Sequence, residues 1–168
     1  MSDYDARPGE LRLPFDPAET ANDATLVFIG QIRSPWKTRS ECPRNIRQAR
    51  ERGGEAMLEI DTAWRAGLAG LSSYTHAIVL YWMYQSRRDL IVQAPKHRDG
   101  TAGVFSLRSP ARPNPIALAV VKILSIDEAA GRIAIDAIDC LDGTPIVDIK
   151  PWLETVDLPP DYQQNRDG

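Results

Sequence analysis

From residue 25 to residue 149 the chain alternates short runs of strand-forming apolar residues with turns carrying proline, glycine or aspartate. The spacing of a long amphipathic helix is scarcely present. The run TLVFIGQI over 25–32 predicts a first strand that stops at Ser34-Pro35, where proline withdraws its amide from any ladder. A short strand is expected over 56–60, followed by a helix opened by Asp61 as N-cap, burying Trp64 and Leu68 and kept short by Gly67 and Gly70. Further strands are expected over 75–84, 102–108, 116–126 and 132–140, and a last one over 145–149 after the Asp142-Gly143 turn. HAIVLYWMY has no polar residue after its histidine and reads as a strand buried on both faces, whereas RIAIDAID alternates and predicts one wet face. Between the expected strands 116–126 and 132–140, Asp127 to Gly131 reads as a hairpin connection with glycine supplying the positive φ. Six or seven strands with one or two short helices predict a mainly β, single-domain fold, a closed or nearly closed β-barrel. Residues 1–24, with Pro8, Pro14 and Pro17 and one apolar cluster of Leu11, Leu13 and Phe15, read as an extended arm.

Composition narrows the function classes. With 168 residues, one compact domain is expected, and 13 prolines with 11 glycines argue against an all-helical fold. No apolar run approaches bilayer length and the first residues lack the apolar stretch of a secretory signal, so a cytoplasmic protein with no membrane association is expected. Cys42 and Cys140 are far apart with no second cysteine near either, and His76 and His97 lack ligand spacing, so no metal site is expected. The net charge of −3 is unevenly distributed. Residues 1–24 hold six acids against two arginines and residues 153–168 four acids against one, leaving a mildly basic body between acidic ends. Such a body suits an anion or RNA phosphates.

Two segments concentrate candidate chemistry. In Leu107-Arg-Ser-Pro-Ala-Arg-Pro-Asn-Pro-Ile116 three prolines fix φ and force the residues before them into extended conformations, so Arg108, Arg112 and Asn114 sit on a stiff loop. That loop is either a preorganised site for an anionic or amide-rich ligand, or a rigid turn whose arginines cap carbonyls. The second segment, Asp139-Cys-Leu-Asp-Gly-Thr-Pro145, places acids at a strand end, where they can face a cation or a sugar hydroxyl or simply form a turn. Residues 33–52 form the most basic stretch, with seven Lys and Arg against Glu41 and Glu51. There Trp36 beside Lys37 is a candidate for stacking on an unpaired RNA base, and a solvated basic loop is the other reading.

GQIRSP at 30–35, GLAGLSSYTH at 67–76, GVFSLRSPARPNPI at 103–116 and DCLDGTPIVDIKPW at 139–152, in that order, resemble the TrmO family, also described as TsaA-like, YaeB-like or VirR-like. The resemblance covers about 25–158, leaving 159–168 as a C-terminal tail. It implies a TsaA-like barrel that binds S-adenosylmethionine without a Rossmann fold, and a homodimer with the cofactor near the subunit interface. The implied activity is N6-methylation of threonylcarbamoyl-adenosine beside the tRNA anticodon; a different small-molecule or nucleic-acid acceptor, or a cofactor-binding module without turnover, are the alternatives. Carried over by position, the implied cofactor contacts are Pro43, Arg44, Asn45, Tyr84, Gln85, Arg108, Val120, Asp139, Cys140, Leu141 and Asp142. Asn45, Tyr84 and Val120 stand where glutamine, histidine and leucine are expected, and Ala117 and Ala119 replace a glycine and a serine. Arg44 or Arg108 is the expected partner of the cofactor carboxylate, Asp139 or Asp142 of its ribose or ammonium, and Tyr84 of its adenine. Arg112 and Asn114 are support residues for substrate or for the loop. Asp142 and His76 are candidates for a general base on chemistry alone, with burial the competing reading for His76.

Overall fold

The computed structural model describes residues 7–20, 24–95 and 99–160. Nine strands run in chain order: β1 (Leu11–Arg12), β2 (Gly30–Arg33), β3 (Ala56–Ile60), β4 (His76–Trp82), β5 (Leu90–Gln93), β6 (Ala102–Gly103), β7 (Ile116–Asp127), β8 (Arg132–Ile135) and β9 (Thr144–Pro151). Six of them close an antiparallel barrel in the order β2-β3-β8-β7-β4-β9, with β9 returning to β2. A separate three-stranded sheet has the order β1-β5-β6. Three short helices, α1 (Pro17–Thr20), α2 (Ile46–Arg52) and α3 (Glu154–Asp157), and three 3-10 turns complete the described fold.

Alternation drives closure. In β3 the residues Ala56, Leu58 and Ile60 point inward while Met57 and Glu59 lie between them, and β8 buries Ile133 and Ile135 in the same way. Ile32, Leu58, Val79, Val121, Ile133 and Ile146 meet in one core, each contributing roughly 1.5–3 kcal/mol of burial. Gly131 ends the β7–β8 hairpin at φ 71°, and a Cβ there would lie 2.5 Å from the carbonyl oxygen of Ile60.

Several expected elements differ. The first strand is confined to Gly30–Arg33, and Leu26, Val27 and Phe28 are exposed, because no ladder partner reaches them. The helix after Asp61 is a 3-10 helix, Thr62–Leu68, without a side-chain cap; Leu68 is buried but Trp64 is 43% exposed. β4 is buried on one face only: Ala77, Val79 and Tyr81 enter the core, while His76, Ile78, Leu80 and Trp82 are half-buried on the outside. The run 102–108 supplies only β6 and then turns through a 3-10 helix at Val104–Ser106, and it belongs to the small sheet. The run 132–140 pairs regularly only to Ile135, after which the chain peels away from β7. Within the predicted arm, Leu11–Arg12 pairs with β5 and buried Glu10 accepts the amides of Arg7 and Ala94. The 161–168 part of the tail lies outside the described residues, as does His97.

Candidate functional site

The turn that follows β8 is stitched to the segment that follows β2. Ser34, itself buried, donates its hydroxyl to Cys140 O at 2.8 Å and its amide to Asp142 Oδ1 at 3.1 Å. Asp142 N–H bonds Trp36 O at 2.9 Å and Gly143 N–H bonds Ile32 O at 2.8 Å. Trp36 Nε1 donates to Ile138 O at 2.8 Å, and Cys42 Sγ donates to Asp139 O at 3.3 Å. The GQIRSP and DCLDGTP motifs are thus two halves of one hydrogen-bonded unit, which leaves the Asp139–Asp142 backbone little freedom.

From β4, buried Tyr81 donates its phenol to Asp139 Oδ1 at 2.7 Å. Burial first and the Asp139 charge second push the Tyr81 phenol far up, so it remains a donor. Asp142 is anchored by Lys37 Nζ at 2.8 Å and more distantly by Arg33 at 3.9 Å. The Lys37 bond, with the Ser34 amide and Arg33, holds its carboxyl below the ordinary value near 3.8 against a smaller opposing effect of burial. A carboxylate so stabilised is a weak proton acceptor, so the geometry makes Asp142 an anchor of the turn. Burial pushes the Cys42 thiol up to about 11 and raises that of Cys140 as well, so both stay protonated.

A lowered carboxylate contributes stability that is present above its unfolded pKa and is lost as pH falls through the folded one. Acid unfolding below about pH 4 should therefore be shallower in an Asp142→Asn protein than in wild type when followed by circular dichroism. Equal acid profiles would contradict the anchoring role.

Pro43 is buried, and Arg44 and Asn45 are exposed at the start of α2. Asn45 is the N-cap: its Oδ1 accepts the Gln48 amide at 2.9 Å, and Gln48 Oε1 reciprocally accepts the Arg44 amide at 2.8 Å. Seven residues, Ile46–Arg52, form this helix, which sequence periodicity misses because Ile46 and Ala49 are its only apolar residues. Its available signals were the cap Asn45 and Gly53 at the C-terminus.

Tyr84, 51% exposed, and Gln85 extend beyond β4, joined by a Gln85 Nε2 to Tyr84 Oη bond of 2.9 Å. Together with Met83, Ser86, Leu141 and Thr144 they line one shallow depression, so the structure brings Tyr84, Gln85 and Leu141 together. Arg108 and Val120 lie elsewhere, toward the outer face of β7: Arg108 Nη2 donates to Leu118 O at 3.0 Å, and Val120 lines a separate groove. Arg112 is folded onto its own loop, donating to the carbonyls of Ser109, Val104 and Leu107. Asn114 accepts from Arg88, whose Nε also holds Pro113 O and whose guanidinium sits 5.4 Å from the Trp82 ring centre. Those contacts favour the reading of Arg112 and Asn114 as loop supports. Trp36 is held in place: its indole N–H is tied to Ile138 O and Arg52 lies over one side of its ring at 5.9 Å.

The donor set fits S-adenosylmethionine. A fixed carboxylate with one oxygen held by Tyr81, exposed guanidiniums, an exposed tyrosine ring and a part-apolar depression match its ammonium, carboxylate, adenine and sulfonium-bearing aliphatic arm. Among the described residues no cluster of three or more metal-ligand side chains occurs, and no helix is long and apolar enough to cross a membrane.

The sequence-family model of the tRNA-methyltransferase O N-terminal domain matches residues 31–158. The chain is 43% identical over 129 residues to a probable S-adenosyl-L-methionine-binding protein, VirR, of Rhizobium radiobacter, covering 77% of this chain and 71% of that protein. It is 32% identical over 139 residues to the tRNA (adenine(37)-N6)-methyltransferase of Escherichia coli, covering 79% of this chain and 59% of that one. A crystal structure of TrmO from P. aeruginosa superposes with a TM-score of 0.66 at 30% identity, covering 84% of this chain and 60% of that chain. The chain therefore spans less than two thirds of the length of those two larger proteins.

Proposed function

The chain belongs to the tRNA-methyltransferase O N-terminal-domain family, and from that premise we propose that it is a cytoplasmic enzyme that binds S-adenosylmethionine at the Asp139–Asp142 turn and methylates N6 of threonylcarbamoyl-adenosine beside a tRNA anticodon. The observation that carries the cofactor part is the stitched turn with Tyr81 clamping Asp139. The acceptor rests on the E. coli relative named as a tRNA methyltransferase.

When bound, the cofactor supplies a methyl carbon activated by its sulfonium, so no metal is required. Asp139, held by Tyr81, takes the ammonium or a ribose hydroxyl, and Tyr84 covers the adenine. Arg44 or Arg108 holds the carboxylate. The protein's contribution is alignment in a site with little freedom to reorganise, which alone can supply most of the barrier reduction for a one-carbon transfer. The acceptor nitrogen must lose a proton, and with Asp142 tied to Lys37 that proton leaves to solvent or to a substrate group.

Arg108 stands apart from the turn in one chain, near the Ile116–Leu118 end of the outer face of β7, where Ile116 and Leu118 leave apolar surface open. We read that face as the contact of a homodimer in which one copy's Arg108 approaches the other's turn.

A second reading has support in the higher identity to a relative named only as S-adenosyl-L-methionine-binding, namely a binding module or an enzyme with another acceptor. Incubation of the purified protein with labelled cofactor and tRNA carrying threonylcarbamoyl-adenosine separates the readings. Label in the modified nucleoside and release of S-adenosylhomocysteine are expected. Cofactor binding with no label in any RNA would replace the methyltransferase reading with the module.

A further inference from the structure

A second concavity lies away from the Tyr84–Leu141 depression. It is a groove of about 410 Å³ lined by Arg50, His76, Val120, Lys122, Asp136 and Trp152, a size that suits a small ligand or one nucleotide. Cross-strand pairing puts His76 opposite Lys122 on the outer faces of β4 and β7. Trp152 follows β9; its amide bonds His76 O at 3.1 Å, and its ring meets the imidazole edge-on, centroids 6.1 Å apart at 67°. Asp136 is already neutralised by Arg50 Nε at 2.7 Å, with its other oxygen on the Lys122 amide at 2.7 Å. Arg50 also holds Val120 O at 2.9 Å. The Lys122 ammonium, by contrast, is exposed and has no ion-pair partner among the described residues. His76 Nδ1 is engaged by Thr75 Oγ1 at 2.9 Å, which leaves Nε2 as its remaining polar atom.

A free ammonium, a neutralised carboxylate and a half-buried indole in one open groove form a site for an anion joined to a flat ring. A nucleotide of single-stranded RNA has that chemistry, with its phosphate on a cation and its base on an aromatic face. The groove adjoins the proposed cofactor site through α2. Near the start of that helix Cys42 touches Asp139, and Arg50 near its end reaches the groove. Asn45 to Arg50 is about 7–8 Å of helix axis, short enough for one RNA loop to touch both places. Arg44 and Arg47 are exposed along the way. Trp36, the indole of the basic stretch, is engaged by Ile138 and Arg52, and Trp152 supplies a stacking surface inside the groove itself.

We propose that this groove is the RNA-docking site, taking a loop nucleotide next to the methylated one with its phosphate on Lys122 and its base against Trp152. This rests on the RNA reading of the function above.

Binding of a fluorescently labelled anticodon stem-loop RNA, followed by anisotropy at several salt concentrations, tests it on the full chain. Cofactor affinity is measured calorimetrically in parallel. Lys122→Glu should weaken RNA binding roughly tenfold and make the salt dependence shallower by about one phosphate contact. Trp152→Ala should weaken it roughly fivefold or more, with Trp152→Phe restoring most of the loss. Cofactor affinity should be unchanged in all three. RNA binding equal to wild type in Lys122→Glu, a surface change that leaves the fold intact, would overturn the groove even if the enzyme methylates tRNA. Loss of cofactor affinity in Lys122→Glu with RNA affinity intact would overturn it too, assigning the groove to the cofactor. Weakened RNA binding in the variants, with no methyl transfer by wild type, would uphold the groove and remove the methyltransferase reading. No RNA binding by wild type would end both.

Discussion

Asp139→Asn is expected to bind S-adenosylmethionine roughly five- to fifteenfold more weakly than wild type in a calorimetric titration, with little change in melting temperature. The substitution keeps side-chain size and an oxygen for the Tyr81 phenol, which approaches to 2.7 Å, and removes the charge. A hydrogen bond to a charged group contributes about 1.5–3 kcal/mol and a neutral one about 0.5–1.5, so the ligand-facing share of the loss falls in the stated range. Tyr81→Phe removes the clamp and leaves the charge. It should cost less affinity than Asp139→Asn, and the double variant should lose less than the sum of the two, because the phenol acts through Asp139. Additive losses would mean that the two residues act separately.

Gly30→Ala is expected to destabilise the barrel by roughly 3–5 kcal/mol, lowering the melting temperature by about 10 °C or more, or to prevent folding. Gly30 opens β2 against both β3 and β9, where a Cβ would sit 2.0 Å from the Glu59 carbonyl oxygen and 3.0 Å from Ile60 Cα. Both obstacles are backbone atoms of the neighbouring strand, so relief requires the β2–β3 ladder to open where the barrel closes. Gly67 provides the comparison: nothing lies within 4 Å of a Cβ there, and Gly67→Ala should change stability by less than about 1 kcal/mol. Thermal melts of the two variants check the contrast. Similar melting temperatures would show that close approach at Gly30 does not govern closure.

The barrel was legible because its central strands carry their own signals. Ala56–Ile60 and Arg132–Ile135 are short runs of strand formers whose burial alternates, and the β7–β8 connection has its glycine where φ must be positive. The ends of strands were not legible, because they depend on partners distant in sequence. The residues after Ile135 look like strand, yet they leave the ladder so that Ile138 and Cys140 can fill the core beneath the turn. The two-residue strands β1 and β6 exist only through their pairing with β5. α2 was hidden by polarity: its sequence IRQARER has no apolar stripe, and its stability comes from the Asn45 cap and the packing of Ala49.

For the site, the motifs themselves were visible, and their assembly was not. Proline spacing showed that the 107–116 loop is stiff, but which carbonyls Arg112 would hold depends on a 3-10 turn at Val104–Ser106 absent from the sequence reading. Tyr81 looked like one more apolar strand residue until the barrel brought it to Asp139. His76, Lys122 and Trp152 come from three separate segments that only cross-strand register aligns.

A crystal structure of the protein grown with S-adenosylmethionine tests the cofactor assignment most directly. Ligand density is expected against the Asp139–Asp142 turn, with the Asp139 carboxylate still held by Tyr81 and Pro43, Arg44 or Asn45 within contact distance. Density bound away from that turn, or a ligand-free turn in crystals grown at saturating cofactor, would contradict it.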